Sequence, residues 1–288
     1  MTWRRGIEIK NAAELARMRQ AGRVNAEALL AAVAVVRPGV TTAEIDRAAA
    51  EVLRRHGATP AFLGYPGPTP YPAVTTVSIN EELVHGIPGE RRLKDGDIVS
   101  IDCGAIVDGF VGDSAVTVPV GEVAPESWRL LEATLAGLWA GVSAMQAGRR
   151  TGDVSAAIQQ TVEARGFSVT RDYTGHGVGR AMHEDPQVPN YGVAGKGQLL
   201  RPGMTIALEP MVLAGGPETR VLEDGWTVVA RDGRRTAHFE HTVAVTADGP
   251  QVLTAADDPR LDGPRASWYN SFFAGRPGLA ESQGVLTS

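Results

Sequence analysis

The sequence predicts an α+β fold built twice around antiparallel strands, and three observations carry that prediction. The stretch DIVSIDCGAIVDGFVGDSAVTV (97–118) places two β-rich runs on either side of Asp108-Gly109. That dipeptide suits a two-residue hairpin turn, because it tolerates positive φ. Next, RPGVTTAEIDRAAAEVLRRHG in the first half is mirrored by QAGRRTGDVSAAIQQTVEARG in the second. At a fixed offset of 109, Gly39 matches Gly148, Thr42 matches Thr151, Glu44 matches Asp153 and Gly57 matches Gly166. Finally, LKDGDIVSID (93–102) is mirrored by LRPGMTIALE (200–209) at an offset of 107, which sets Asp102 against Glu209. HGI at 85–87 similarly matches HGV at 176–178. Three matches in one order indicate duplication, with pseudo-repeats over about 11–118 and 125–247. Each half then offers an acid at a strand end, which suggests one site at a pseudo-twofold axis.

The elements follow in order. Asn11 with Glu14 forms a capping box opening a helix through about Val36, with Leu15, Met18, Val24, Ala28 and Leu29 in its apolar set. Pro38-Gly39 ends it. Thr42 is expected to cap a second helix carrying Ile45, Ala49, Val52 and Leu53, with Gly57 as its stop. Residues 60–72 hold five prolines and predict an irregular loop. A strand at about 73–80 precedes the hairpin. In the second half Pro125 starts a helix running to about Met145, and the mirrored helix follows it. Beyond TIALEP, hairpins are expected with turns at Asp224-Gly225 and Asp232-Gly233, ending in a strand from Ala237 to Thr246. Residues 1–253 read as a single domain. Residues 254–288 read as a Pro/Gly/Ser-rich tail, expected to be flexible despite its cluster of Trp268, Tyr269, Phe272 and Phe273.

Composition narrows the function classes. A chain of 288 residues with 43% hydrophobic and 21% charged residues can bury a full core, which argues against a wholly disordered protein. A net charge of −5 gives no reason to expect a nucleic-acid partner. The single cysteine, Cys103, excludes an intrachain disulfide and fits a reducing compartment. No apolar run approaches the roughly 18 residues of a membrane span, and charged residues occupy the place where a signal peptide would need its apolar core. A soluble, cytoplasmic, monomeric protein is expected.

The hairpin also points to chemistry. With Asp108-Gly109 as the turn, Val107 faces Phe110, Gly104 faces Asp113 and Ile101 faces Val116. Asp102 shares a face with Gly104, so Asp102 and Asp113 lie diagonally on one face, roughly 7 Å apart. Two carboxylates on an apolar hairpin repel unless a cation sits between them, and a divalent metal is the simplest occupant. Five residues compete as ligands: Asp102, Asp113, His176, Glu209 and Glu240. Taken singly, each has a plainer explanation: an edge-strand acid, a solvent-facing Glu240, a loop histidine. Context favours a metal, because IVSID and TIALEP are too apolar to hold an unpaired acid cheaply. Cys103 points away from Asp102 and reads as core packing.

SINEELVHGIP, LKDGDIVSIDCG, GFVGDSAVT, YTGHGVGRAMHEDP, MTIALEPM and EDGWTVVARDGRRTAHFEHTVAVT together resemble the type I methionine aminopeptidases, in family order over roughly residues 7 to 250. The resemblance implies the pita-bread fold, a duplicated α+β architecture with a central antiparallel sheet covered by helices. It implies two divalent ions (Co, Mn, Fe or Zn) held by Asp102, Asp113, His176, Glu209 and Glu240, with Asp113 and Glu240 shared between them. Two such ions about 3.5–4 Å apart can activate a water and polarise a carbonyl. Glu209 would be the general base, His183 would face the scissile carbonyl, and His85 would face the peptide nitrogen. Without the resemblance, His85 reads as a loop histidine and His183 as a surface residue. Tyr65 and Trp226 match the family's aromatic lining for methionine. Phe62 and Thr76 stand where bacterial members commonly have cysteines, and Met182 where Phe is usual. The implied substrates are nascent polypeptide N-termini with a small second residue, met during transient ribosome association. Two alternatives stand beside this: a proline-directed peptidase of the same fold, and a non-catalytic binding protein. The former normally carries a sizeable domain ahead of the catalytic pattern, which here starts near Ile7; the latter usually loses ligands.

Overall fold

The computed structural model describes residues 4–256, 272, 273 and 275. The first half runs α1 (Ala12–Ala34), α2 (Thr42–Arg55), β1 (Thr59–Pro60), β2 (Thr75–Ile79), β3 (Glu82–Val84), β4 (Ile98–Val107) and β5 (Phe110–Pro119). The second runs α3 (Pro125–Ala144), α4 (Thr151–Glu163), β6 (Ser168–Val169), β7 (Thr174–Gly177), β8 (Glu184–Pro189), β9 (Thr205–Leu208), β10 (Met211–Leu213), β11 (Thr219–Val221), β12 (Val228–Ala230), β13 (Thr236–His238), β14 (His241–Thr246) and β15 (Gly249–Val252). Among the described residues, no helix is long and apolar enough to cross a membrane.

Local chemistry explains where the elements begin. Asn11 accepts from Glu14 N at 3.0 Å while the Glu14 carboxylate accepts from Asn11 N at 2.9 Å, closing the expected box on α1. Such a cap contributes about 1 kcal/mol. On α2 the cap is Thr41, one residue earlier than expected. Thr42 is occupied elsewhere, its hydroxyl donating to Gly89 O at 3.0 Å and accepting from Gly89 N at 2.8 Å. The duplication extends to these contacts. Thr41 bridges to Arg92 and Arg150 bridges to Leu199, pairs related by the same two offsets that relate the sequence repeats.

All strand ladders are antiparallel. β4 pairs with β5 on one side and with β2 and β1 on the other; β15, β14, β9, β7 and β8 form a five-stranded sheet in that order. The hairpin has the register the sequence requires, with Val107 opposite Phe110, Gly104 opposite Asp113 and Ile101 opposite Val116. Asp108 at φ +49° and Gly109 at φ +75° make the turn. Helices α1 and α2 cover the face of the hairpin carrying Val99, Ile101, Cys103 and Ala105, all buried in the main core. Each large apolar side chain hidden there contributes about 1.5–3 kcal/mol. Polar residues take the opposite face, at Ser100 and Asp102. The two sheets meet where Glu240 N donates to Ala115 O at 2.8 Å and the Thr242 hydroxyl donates to Asp113 O at 2.9 Å.

Two expectations need correction. The Asp232-Gly233 turn does not close a hairpin, because β12 pairs with β11 and β3 whereas β13 pairs with β10. The strand expected from Ala237 to Thr246 is broken at Phe239-Glu240 into β13 and β14. Two aromatic residues of the tail are described. Phe272 and Phe273 are buried, and Phe272 stacks on His241 with ring centroids 4.2 Å apart. His241 donates Nε2–H to Phe272 O at 3.0 Å, and Ala256 N donates to Phe273 O. This aromatic pair is docked, since two phenyl rings gain more by burial than their ordering costs, while residues 257–271 of the tail expected to be flexible lie outside the described residues. Trp268 and Tyr269 lie outside the described residues.

Candidate metal centre

A break in one strand ladder sets the acids in place. β9 pairs with β14 up to Leu208 opposite His241, and β10 pairs with β13 from Met211 opposite His238. Between these pairs stand Glu209-Pro210 on one chain segment and Phe239-Glu240 on the other. Pro210 has no N–H and cannot continue the ladder. Instead Asn190 donates to Glu209 O at 2.9 Å, and Glu240 N turns to Ala115 of the hairpin. Both glutamates therefore leave the sheet toward Asp102 on β4 and Asp113 on β5.

All twelve residues singled out in the sequence for this site line one cavity of about 70 Å³. Asp102, Asp113, His176, Glu209 and Glu240 share it with His85 and His183, and Phe62, Tyr65, Met182 and Trp226 supply an apolar wall. Thr76 and Tyr71 complete the lining. Tyr71 escaped the sequence reading. It is buried, donating to Gly86 O at 2.9 Å and lying edge-on to Trp226.

The donor set fits a divalent cation. One ligand atom each of Asp113, His176 and Glu240 lies within 4.8 Å of the others, all three residues buried. His176 donates Nδ1–H to Gly177 O at 2.9 Å, so its Nε2 carries a lone pair. That lone pair faces Asp113 Oδ2 at 3.8 Å and Glu209 Oε1 at 3.5 Å, acceptors that repel it unless a cation lies between. Asp102 Oδ1, Asp113 Oδ1, Glu240 Oε1 and His238 Nε2 are buried without hydrogen-bond partners. Four carboxylates and an imidazole form an oxygen-rich set suited to Mn(II), Fe(II) or Co(II) rather than to a structural thiolate zinc.

Electrostatics agree. Burial holds Asp102, Glu209 and Glu240 well above the usual carboxylate range, reinforced by their neighbours' charges, and pushes Asp113 up to about 7. Burial also pushes His85 and His176 down to about 4, and His183 lower still. A pocket that disfavours bare carboxylates and protonated imidazoles alike is one whose charge is meant to be met by a cation.

The two histidines outside the expected ligand set are held by different means. His85, just past β3, sits at φ +62°, a conformation costing about 1–3 kcal/mol for a non-glycine residue. His183 precedes β8 on a segment tied down by Glu184, whose carboxylate accepts from Arg180 N, Ala181 N and the buried Lys10 ammonium at 2.6 Å. His183 Nδ1 lies 2.7 Å from the Tyr65 hydroxyl. Sequence reasoning also passed over His238, buried with Nε2 3.7 Å from Glu209 Oε2 and 3.9 Å from Glu240 Oε2. The signal was available, since a histidine two residues before a strand acid shares its face.

Fold and site define a duplicated α+β protein with a carboxylate-rich cluster that could hold a metal. The chain belongs to metallopeptidase family M24, whose profile matches residues 16–247. It is 49% identical over 248 residues to methionine aminopeptidase 1 of Bacillus subtilis, covering 86% of this chain and 99% of that one. The crystal structure of methionine aminopeptidase from Thermotoga maritima superposes with a TM-score of 0.84 at 47% identity, covering 86% of this chain and 99% of that chain. A prolidase from Pyrococcus furiosus, 23% identical, shares the fold at a TM-score of 0.71, covering 87% of this chain and 66% of its own. The architecture is the pita-bread fold.

Proposed function

We propose that this protein removes the N-terminal methionine from polypeptides whose second residue is small, by metal-dependent hydrolysis of the first peptide bond. The observation that carries the reading is the cavity itself, lined both by a carboxylate-rich donor set and by an apolar, partly aromatic cluster. Asp102, Asp113, His176, Glu209 and Glu240 would hold two divalent ions. Bound there, such ions supply a Lewis acid for the scissile carbonyl and lower the pKa of a water.

The chain's own groups do the rest. Glu209 accepts a proton from the attacking water and is the general base. His183 is buried and neutral, so a ring N–H donates to the oxygen on which charge develops. His85, also neutral and lining the same cavity, serves the peptide nitrogen. Phe62, Tyr65, Met182 and Trp226 enclose the methionine thioether, whose sulfur favours aromatic edges. Within this reading the enzyme works as a cytoplasmic monomer on chains emerging from the ribosome.

The test is cleavage of Met-Ala-Ser and of Xaa-Pro peptides by metal-stripped protein resupplied with Mn(II), Fe(II), Co(II) or Zn(II). Metal-dependent release of methionine from the first peptide alone is expected. Release only from the proline peptides, or metal uptake without cleavage, would overturn the assignment.

A further inference from the structure

Glu209 is flanked by two imidazoles, one at each carboxylate oxygen. His176 Nε2 stands 3.5 Å from Oε1, and His238 Nε2 stands 3.7 Å from Oε2. The two rings differ in what they can offer. His176 spends its N–H on Gly177 O, which leaves a lone pair on the inward nitrogen. His238 Nε2 is buried and has no hydrogen-bond partner. Its backbone is fixed: His238 N donates to the Thr117 hydroxyl at 2.8 Å, and the same hydroxyl donates to His238 O at 2.9 Å. His238 is 2% exposed, so bulk water does not reach that nitrogen.

We infer that His238 is a positioning residue for Glu209, donating Nε2–H to Oε2 so that Oε1 is kept for the metal centre. The assignment rests on the metal-centre reading above and adds a residue to it. The present separation exceeds a hydrogen bond by about 0.5 Å. The terminal torsion of a glutamate is broad, so a small rotation closes it at little cost. Glu240 Oε2, at 3.9 Å, is the more distant acceptor. A donor on Oε2 restrains the carboxylate to bind through one oxygen, and groups that orient ligands in this way typically carry 10–100-fold in metal affinity.

Three variants of the full chain test this: His238→Leu removes the donor and keeps most of the volume, His238→Gln keeps an N–H of similar reach, and His238→Asn keeps an N–H that falls short. Each is stripped with chelator, checked by thermal melting, and titrated with Mn(II) by calorimetry; Co(II) absorption spectra report the coordination. The Leu and Asn variants are expected to bind one Mn(II) 10–100-fold more weakly than wild type with an altered Co(II) spectrum. The Gln variant is expected to recover to within about threefold. Should the Leu variant not fold, the Asn–Gln comparison carries the same contrast. Wild-type affinity in Leu or Asn, or a Gln variant as weak as Asn, would overturn the role of His238 while leaving the metal centre standing. Failure of the wild-type protein to take up Mn(II) would overturn both.

Discussion

The Tyr65 hydroxyl meets Nδ1 of His183 at 2.7 Å, joining the proline-rich loop of the first half to the segment before β8 in the second. The contact orients the imidazole proposed to face the scissile carbonyl. Tyr65→Phe should therefore lower kcat/KM by about 3–10-fold, the worth of one hydrogen bond of 0.5–1.5 kcal/mol. Steady-state kinetics with a thermal melt distinguishes this from loss of fold, since the melting temperature should barely move.

Glu209→Gln keeps the side chain's shape and removes both a negative ligand and the proposed base. Turnover should drop by orders of magnitude in metal-replete buffer, with the circular dichroism spectrum unchanged. Near-wild-type turnover would take Glu209 out of the mechanism.

Metal removal should expose a pH dependence. Asp113, raised to about 7, and Asp102, Glu209 and Glu240, raised well above the usual carboxylate range by burial and by their neighbours' charges, bind protons more readily folded than unfolded. Their contribution to stability is full below about pH 4 and is lost as pH rises through the folded values. The depressed histidines act in the opposite sense, but only below their unfolded value near 6.5. As pH rises from about 6.5 through the folded value of Asp113 near 7, chelator-treated protein should thus melt at progressively lower temperature. Saturating Mn(II) should raise the melting temperature and flatten that slope.

A methyl group on Gly67 would overlap the Trp226 ring, whose Nε1–H donates to Thr69 O at 3.0 Å. Gly67→Ala should push the indole off its seat and raise KM for methionyl peptides several-fold with a smaller change in kcat. Equal losses in kcat and kcat/KM would place Trp226 in transition-state binding instead.

Phe272→Ala should cost about 3–5 kcal/mol, the range for emptying a buried phenylalanine site, read as a lower denaturation midpoint. An unchanged midpoint would show that the stack on His241 contributes nothing.

The hairpin was legible in the sequence because its turn chemistry and its alternation agree. Asp108-Gly109 fixes the register, and the register fixes which face Asp102 and Asp113 share. The duplication was legible because the same helix start and the same strand recur at constant offsets. The interruption at Pro210 and Glu240 was not, since AHFEHTVAV alternates like one strand and only the facing Pro210 forces the gap. Tail docking escaped for a related reason. Composition around Phe272 suggests an unstructured segment, and the surface that receives the ring includes residues 239 and 241, far from it along the chain.

Asp102 and Asp113 come from the first repeat, whereas His176, Glu209 and Glu240 come from the second, on either side of the short connection at 120–124. A cation held by both sets is a removable fastener across the seam between the halves. Fragments produced by opening the chain at that connection would each carry part of the coordination shell, and their reassembly would respond to cation concentration as well as to the apolar surface they share.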